Sequence, residues 1–383
     1  MNRANPSPTI IYAANRAFAL TNSRLPLMRR MRDAGWRVVV ATGEDDLSRE
    51  LTREGFIFER VEFSRGSFAP CKDWVSYRLL CRIYRKHRPE LVHHFHAKPV
   101  IMGSLAAAKS QGRNPPLIIN TITGLGFPFG KRGLARFFAG IGYHLSLRHS
   151  AATIFQNPDD LDLFLRKGWV KNDNARLLIG SGVDTERFKP IPNVSSRDSP
   201  RVLMVARLLR QKGIQEFIEA AEKVKQNFPQ ARFQLAGEWQ ESHPDAYPRE
   251  KIEHAAQTGT IEFLGFLRQI EAVLPQVDIF LMPSYYREGV PRALLEAASC
   301  GLPVIGADVP GTRDVIVDGE TGFLVPTRDS QALADRVEEL LSDPALCIRL
   351  GAASREWVKE HCDLKVVTEK QLDIYRSLLD LGP

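Results

Sequence analysis

No run in these 383 residues approaches the roughly 18 consecutive apolar residues that a membrane span needs. Cysteine is scarce: Cys71, Cys81, Cys300, Cys347 and Cys362 are an odd set, and no two are spaced Cys-x-x-Cys. That argues against a disulfide framework or a zinc site and suits a reducing compartment. The opening Met-Asn-Arg-Ala-Asn-Pro-Ser-Pro is not followed by a long apolar segment, so no signal peptide is expected. The chain has no low-complexity tract and no short repeat. No Gly-x-Gly-x-x-Gly follows the first apolar run, which disfavours a plain NAD enzyme. Together these absences leave a soluble or at most peripheral protein, expected in the cytoplasm.

What is present fits two globular domains. Apolar residues make up 44% and charged residues 25%, and 383 residues exceed one ordinary core. The net charge of +7 is unevenly spread. Residues 1–190 carry 30 Lys and Arg against 16 Asp and Glu, whereas residues 191–383 carry 22 against 29. A basic half suggests an anionic partner, with nucleic acid and an anionic membrane leaflet the two candidates. Two segments concentrate the charge among apolar residues at helical spacing: Arg78–Arg88, and Lys131–Phe138 with Lys131, Arg132 and Arg136 beside Leu134, Phe137 and Phe138. A solvated basic helix face is the plain alternative for both.

Short apolar runs alternate with amphipathic stretches, predicting parallel, doubly wound sheets. In the first half, strands are expected at Thr9–Ala14, Trp36–Ala41, Phe56–Phe58, Leu91–Phe95, Leu117–Asn120 and Ala152–Phe155. Helices are expected between them at Arg24–Ala34, Trp74–His87, Met102–Lys109 and Leu134–Arg148. The proline-bearing stretch Lys189–Pro200 reads as an interdomain linker. Beyond it, strands are expected at Val202–Ala206, Phe233–Ala236, Ile261–Leu264, Ile279–Met282, Pro303–Ile305 and Gly322–Val325. Helices follow at Ile214–Gln226, Arg249–Gln257, Gln269–Leu274, Arg292–Cys300, Ser330–Leu341 and Pro344–Glu360, with a closing helix over Leu364–Leu379. The expected organisation is a domain at 1–188, a linker at 189–200, a second domain at 201–363 and a terminal helix at 364–383.

The most informative stretch is Glu288-Gly-Val-Pro-Arg-Ala-Leu-Leu-Glu296, after the apolar run ending Asp278-Ile-Phe-Leu-Met-Pro-Ser284. It reads as a buried strand, an acidic loop, then a helix starting with Pro291 at its first position. A helix N-terminus at the carboxyl end of a strand suits a diphosphate, here around Gly289, Val290 and Pro291. Glu296 lies about 7.5 Å down that helix, at roughly 1.5 Å per residue, within reach of a neighbouring sugar hydroxyl. In Val202-Leu-Met-Val-Ala-Arg-Leu-Leu-Arg-Gln-Lys-Gly213, Arg207 and Lys212 can converge on a phosphate, one bidentate and one as a point charge. Ordinary solvated loop charges are the alternative.

Two glutamates seven residues between them in this setting resemble the signature of retaining family 4 glycosyltransferases of the GT-B fold. Gly301-Leu-Pro-Val304, Val309-Pro-Gly-Thr-Arg-Asp-Val-Ile316, Gly319–Pro326, Phe155-Gln-Asn157 and Gly180-Ser-Gly-Val-Asp184 extend the resemblance over nearly the whole chain. Lys98-Pro99, Asn120–Gly126 and Tyr286–Arg292 narrow it to bacterial enzymes extending undecaprenyl-diphosphate-linked or capsular glycans. Two departures stand out. Glu238 and Trp239 stand where the family has Gly-x-Gly, and Thr123-Gly124 where many members have a histidine.

The resemblance implies two Rossmann-like domains facing a cleft, with the last helix crossing back to the N-terminal domain. It implies sugar transfer with retention from a nucleotide-sugar, UDP-linked by expectation, to a glycan or lipid-diphosphate acceptor. Glu296 would hold the donor ribose. Glu288 would contact the transferred sugar, and Arg207, Lys212 and Gly289–Pro291 would neutralise the leaving diphosphate. The acceptor would lie near Thr123, Gly124, Asn15 and Arg16, with His96 or His94 as a further contact. His93 and His94, adjacent on a strand, point to opposite faces, so one is expected in the core. No metal or other cofactor is expected, since the nucleotide-sugar is a co-substrate. An anionic membrane surface, at the inner face of the plasma membrane, is the expected partner and nucleic acid is not. A nucleotide-sugar epimerase of similar fold and a basic nucleic-acid-binding protein remain the alternatives.

Overall fold

The computed structural model describes residues 7–64, 70–125, 134–191, 198–240 and 243–379, without the side chains of Leu134 and Ala135. The chain divides into two compact units. Residues up to Ser181, together with those from Leu364 onward, form one, and Gly182–Asp363 form the other.

The first unit runs β1 (Thr9–Ala14), α1 (Ala17–Ser23), α2 (Leu25–Asp33), β2 (Arg37–Thr42), α3 (Ser48–Arg53), β3 (Ile57–Arg60), α4 (Pro70–His87) and β4 (Leu91–Phe95). It continues with a π-type turn (Pro99–Gly103), α5 (Ser104–Ser110), β5 (Leu117–Ile122), α6 (Leu134–Leu147), β6 (Ala152–Phe155), α7 (Pro158–Arg166) and β7 (Ala175–Leu177). Its seven strands are parallel, in the order β3-β2-β1-β4-β5-β6-β7. Alternate residues of β1 serve opposite layers, as the strand's period of two requires. Ile10, Tyr12 and Ala14 pack with α1 and α2, while Ile11 and Ala13 pack with α4 and α5.

The second unit runs β8 (Arg201–Val205), a 3-10 turn (Arg210–Lys212), α8 (Ile214–Asn227), β9 (Arg232–Ala236), α9 (Arg249–Gln257), β10 (Glu262–Gly265), α10 (Ile270–Val273) and β11 (Ile279–Met282). It closes with α11 (Arg292–Ser299), β12 (Val304–Ala307), β13 (Gly322–Val325), α12 (Ser330–Ser342) and α13 (Pro344–Cys362). Six parallel strands take the order β10-β9-β8-β11-β12-β13. Local chemistry sets the helix starts: Asp329 accepts from Gln331 and Ala332 N–H, and Asp343, followed by Pro344, accepts from Leu346 N–H.

The last helix, α14 (Leu364–Leu379), returns to the first unit. Val367, Leu372 and Tyr375 enter the core beneath β1 and β4.

Several boundaries move from their expected places. Residues 182–188, expected with the N-terminal domain, pack in the second unit. Arg355 donates to the carbonyls of Phe188, Ser299 and Thr185, Ser299 Oγ donates to Phe188 O at 2.6 Å, and Val183 bridges Asp363. Residues 192–197 of the expected linker lie outside the described residues. The third strand begins at Ile57, after the left-handed Gly55 (φ +83°), rather than at Phe56.

One approach positions the functional loops of the second unit. Gly213 ends the 3-10 turn at φ +81°, and a Cβ there would lie 2.3 Å from Pro283 O, just past β11. Gly213→Ala should therefore lower stability by about 2 kcal/mol or more, combining left-handed strain with overpacking. Urea denaturation should show a lower midpoint at unchanged slope. A variant as stable as the parent would mean the two loops are not held this close.

Candidate functional site

The strand order of the second sheet reverses between β8 and β11, and open parallel sheets bind ligands outside the carboxyl ends of such strands. The loops leaving β8 and β11 are tied together there. Tyr285 N–H donates to Gln211 O at 3.0 Å, and Ser284 Oγ donates to the same carbonyl at 3.4 Å. This brings Lys212 and Glu288, 76 residues apart in sequence, into an ion pair. The Lys212 side chain is only 8% exposed, and its Nζ lies 5.3 Å from the centre of the Tyr286 ring. A buried ammonium costs several kcal/mol unless paired, so Glu288 is what makes this placement tolerable.

Glu296 has a different partner. It sits inside α11, buried, and Arg292 Nε donates to its Oε1 at 2.6 Å across one helical turn. Burial pushes its carboxyl pKa up, opposed by the charges of Arg292 and Arg187 and reinforced by Glu271. Arg187 is itself paired to Glu271 at 2.8 Å. The two glutamates thus answer to separate cations. Arg207 stands apart: its side chain is exposed and forms no ion pair among the described residues.

Pro291 is not the first helical residue. Its ψ of 123° is extended, so it flanks the helix and Arg292 begins it, while Pro291 O accepts from Leu295 N–H at 3.3 Å. Gly289 and Val290 are buried just ahead. The Val309–Ile316 motif props this loop from behind. Gly311, at φ +88°, comes so close that a Cβ would fall 1.6 Å from Gly289 O, and Asp314 accepts the Gly311 N–H at 2.8 Å. At the departure from Gly-x-Gly, the Trp239 ring packs on Phe263 (5.1 Å between centroids), with the Arg249 guanidinium 4.9 Å over it.

In the first unit the expected acceptor residues follow β1, β4 and β5. Asn15 Oδ1 is buried with no hydrogen-bond partner among the described residues. Arg16 Nε lies 3.5 Å from Asp45 Oδ2. His96 is left-handed at φ +71°, Gly124 at φ +103°, and Thr123 is half-buried. Gly126, Lys131 and Arg132 lie outside the described residues.

The histidine expectation needs correcting, because both His93 and His94 are core residues. A doubly wound sheet buries both faces. His93 bonds Tyr375 OH at 2.5 Å and Thr121 Oγ1 at 2.7 Å, and His94 bonds Tyr84 OH at 2.8 Å and Asn120 Oδ1 at 2.9 Å. Burial holds His93 well below the usual imidazole range and His94 at about 4, so both are neutral structural groups. Sequence reasoning also passed over Arg292 as the partner of Glu296, although the i,i+4 spacing was visible. Nothing in the sequence signalled the Tyr286 ring near Lys212.

Known proteins resemble the chain along both halves. A family model described as glycosyl transferases group 1 matches residues 185–357, and one described as glycosyl transferase 4-like domain matches residues 21–180. The N,N'-diacetylbacillosaminyl-diphospho-undecaprenol alpha-1,3-N-acetylgalactosaminyltransferase of Campylobacter jejuni is 26% identical over 93% of this chain and 95% of its own. The UDP-Gal:alpha-D-GlcNAc-diphosphoundecaprenol alpha-1,3-galactosyltransferase of Escherichia coli is 26% identical over 72% of this chain and 73% of its own. Sucrose-phosphate synthase from Thermosynechococcus elongatus shares the fold, with a TM-score of 0.78 at 21% identity, covering 98% of this chain and all of the other. Neither the epimerase nor the nucleic-acid alternative finds support among these relatives. The protein belongs to the family 4 glycosyltransferases of the GT-B fold.

Proposed function

We propose that this glycosyltransferase moves a hexose or N-acetylhexosamine from a UDP-linked donor, with retention, to a lipid-diphosphate-linked or glycan acceptor of bacterial surface polysaccharide or glycoconjugate synthesis. The observation that carries the donor half is the ion pair of the buried Lys212 with Glu288, beside the start of α11. A buried ammonium held by one carboxylate can exchange that partner for a phosphate without ever being left uncompensated. Lys212 then serves the leaving diphosphate, Arg207 adds a bidentate contact from the exposed side, and the backbone around Gly289–Pro291 completes the cradle. Released from Lys212, Glu288 turns to the hydroxyls and developing positive charge of the transferred sugar. Glu296 accepts from the donor ribose.

The glutamates do not act as a hydrolase pair, which would need two carboxylates flanking one anomeric carbon about 5–5.5 Å apart. Their separate cationic partners support separate roles. The names of the relatives from C. jejuni and E. coli support a diphosphoundecaprenol-type acceptor. Asn15, Arg16, His96, Thr123 and Gly124 are assigned to it in the first unit.

A membrane surface is the proposed partner. No helix among the described residues is long and apolar enough to cross a membrane. Yet Phe137, Phe138, Ile141 and Leu145 are exposed on α6, and Trp74 and Val75 on α4, where Arg78, Arg82 and Arg85 are also exposed. Residues 91–158 contain no Asp or Glu. Outward apolar side chains flanked by cations, on α6 with no acid in the surrounding sequence, suit an anionic leaflet.

Glu296→Ala should weaken UDP binding by about 1.5–3 kcal/mol, because the ribose hydroxyls lose a charged acceptor. Calorimetry reads this directly, and unchanged affinity would remove Glu296 from the donor site.

The protein should co-sediment with anionic liposomes, more weakly as salt shortens the screening length. Replacing Lys131, Arg132 and Arg136 with Glu should reduce binding, each basic residue near the surface being worth about 1 kcal/mol. Sedimentation indifferent to lipid charge and salt would contradict membrane docking while leaving sugar transfer intact.

A further inference from the structure

The rule that places the donor loops of the second unit has a counterpart in the first. There the strand order reverses between β1 and β4. The register pairs Ala13 with His94, so the chain after each strand leaves the same sheet edge side by side. Asn15 and Arg16 follow β1, and His96 and Lys98 follow β4. This is the crevice where an open parallel sheet takes a ligand.

The backbone after β4 is unusual. His96 is a non-glycine residue at φ +71°, and Lys98 leads directly into the π-type turn. Both deviations are rare and concentrate at functional sites. Lys98 emerges into a small cluster: its Nζ lies 2.7 Å from Asp73 Oδ1 and bonds Ser64 Oγ, which in turn donates to Asp73 Oδ1 at 2.7 Å. The lysine and aspartate side chains remain 21% and 19% exposed. A partly exposed bridge of this kind adds little stability, while the left-handed residue ahead of it is strained. Stability alone therefore does not account for the arrangement. Arg16, with Asp45, supplies a second cation at the neighbouring strand end.

We propose that Lys98, together with Arg16, binds the diphosphate of the lipid-linked acceptor, and that Asp73 and Ser64 hold the ammonium in place until the phosphate arrives. This rests on the lipid-diphosphate acceptor reading above. It assigns the first unit its own phosphate site, built on the same exchange of carboxylate for phosphate as the Lys212–Glu288 pair.

The test uses the full chain with UDP at saturation, so that the second unit is filled, and geranyl diphosphate as the titrant in calorimetry. Geranyl diphosphate should bind, inorganic pyrophosphate should compete with it, and geraniol should not. Lys98→Ala should weaken binding at least tenfold with UDP affinity unchanged, whereas Lys98→Arg should stay within about threefold of the parent. Asp73→Asn, which frees the lysine, should bind as well as the parent or better. If the parent binds UDP but not geranyl diphosphate, the acceptor reading fails and this site with it. If the parent binds both and Lys98→Ala binds geranyl diphosphate equally, only the Lys98 assignment falls. Equal loss in Lys98→Ala and Lys98→Arg would also overturn it, by making the side chain a structural pin.

Discussion

A buried ammonium without a counter-charge is among the costliest things a fold can contain, and Lys212 is kept from that state by Glu288 alone among the described carboxylates paired with it. Much of the second unit's irregular structure serves to bring those two groups together. The 3-10 turn at Arg210–Lys212 delivers the lysine, Gln211 O ties its loop to Ser284 and Tyr285, and Gly213 lets the chain pass against Pro283. From the other side, Gly311 supports Gly289, next to Glu288, by backbone contact. Substitution at either glycine would push apart loops whose spacing the ion pair needs.

The same electrostatic logic separates two residues of identical chemistry. Glu288 is paired with a lysine and remains partly open to solvent, whereas Glu296 is buried and bonded within its helix to Arg292. For Glu296, burial raises the carboxyl pKa and the arginines oppose that rise, so its charge depends on its own helix rather than on Lys212. Two carboxylates eight positions apart can then serve two parts of one donor.

The long parallel strands were legible because strands covered on both faces are continuous apolar runs. Thr9–Ala14, Leu91–Phe95 and Ile279–Met282 stand where the sequence reading placed them. Short elements were not legible. Ser48–Arg53 and Ala175–Leu177 are too brief to show a period, and Ala17–Ser23 has no side-chain cap to announce it. The expected helix from Met102 became a π-type turn followed by α5, with Gly103 against the His94 ring. Adjacent histidines were correctly given opposite faces, but expecting only one of them in the core overlooked that helices cover both faces of the sheet. Glu288, Lys212 and Glu296 could be picked out by motif. That Glu288 holds Lys212 could not, because this pairing exists only once the two strands lie side by side.

The central claim is that Lys212 exchanges Glu288 for the leaving diphosphate, and turnover of Lys212→Ala at saturating donor tests it most directly. Loss of a group that stabilises charge mainly in the transition state should lower kcat by about a hundredfold or more, with far less effect on folding stability. Wild-type turnover in a folded variant would mean that this lysine only balances Glu288 and takes no part in the transfer.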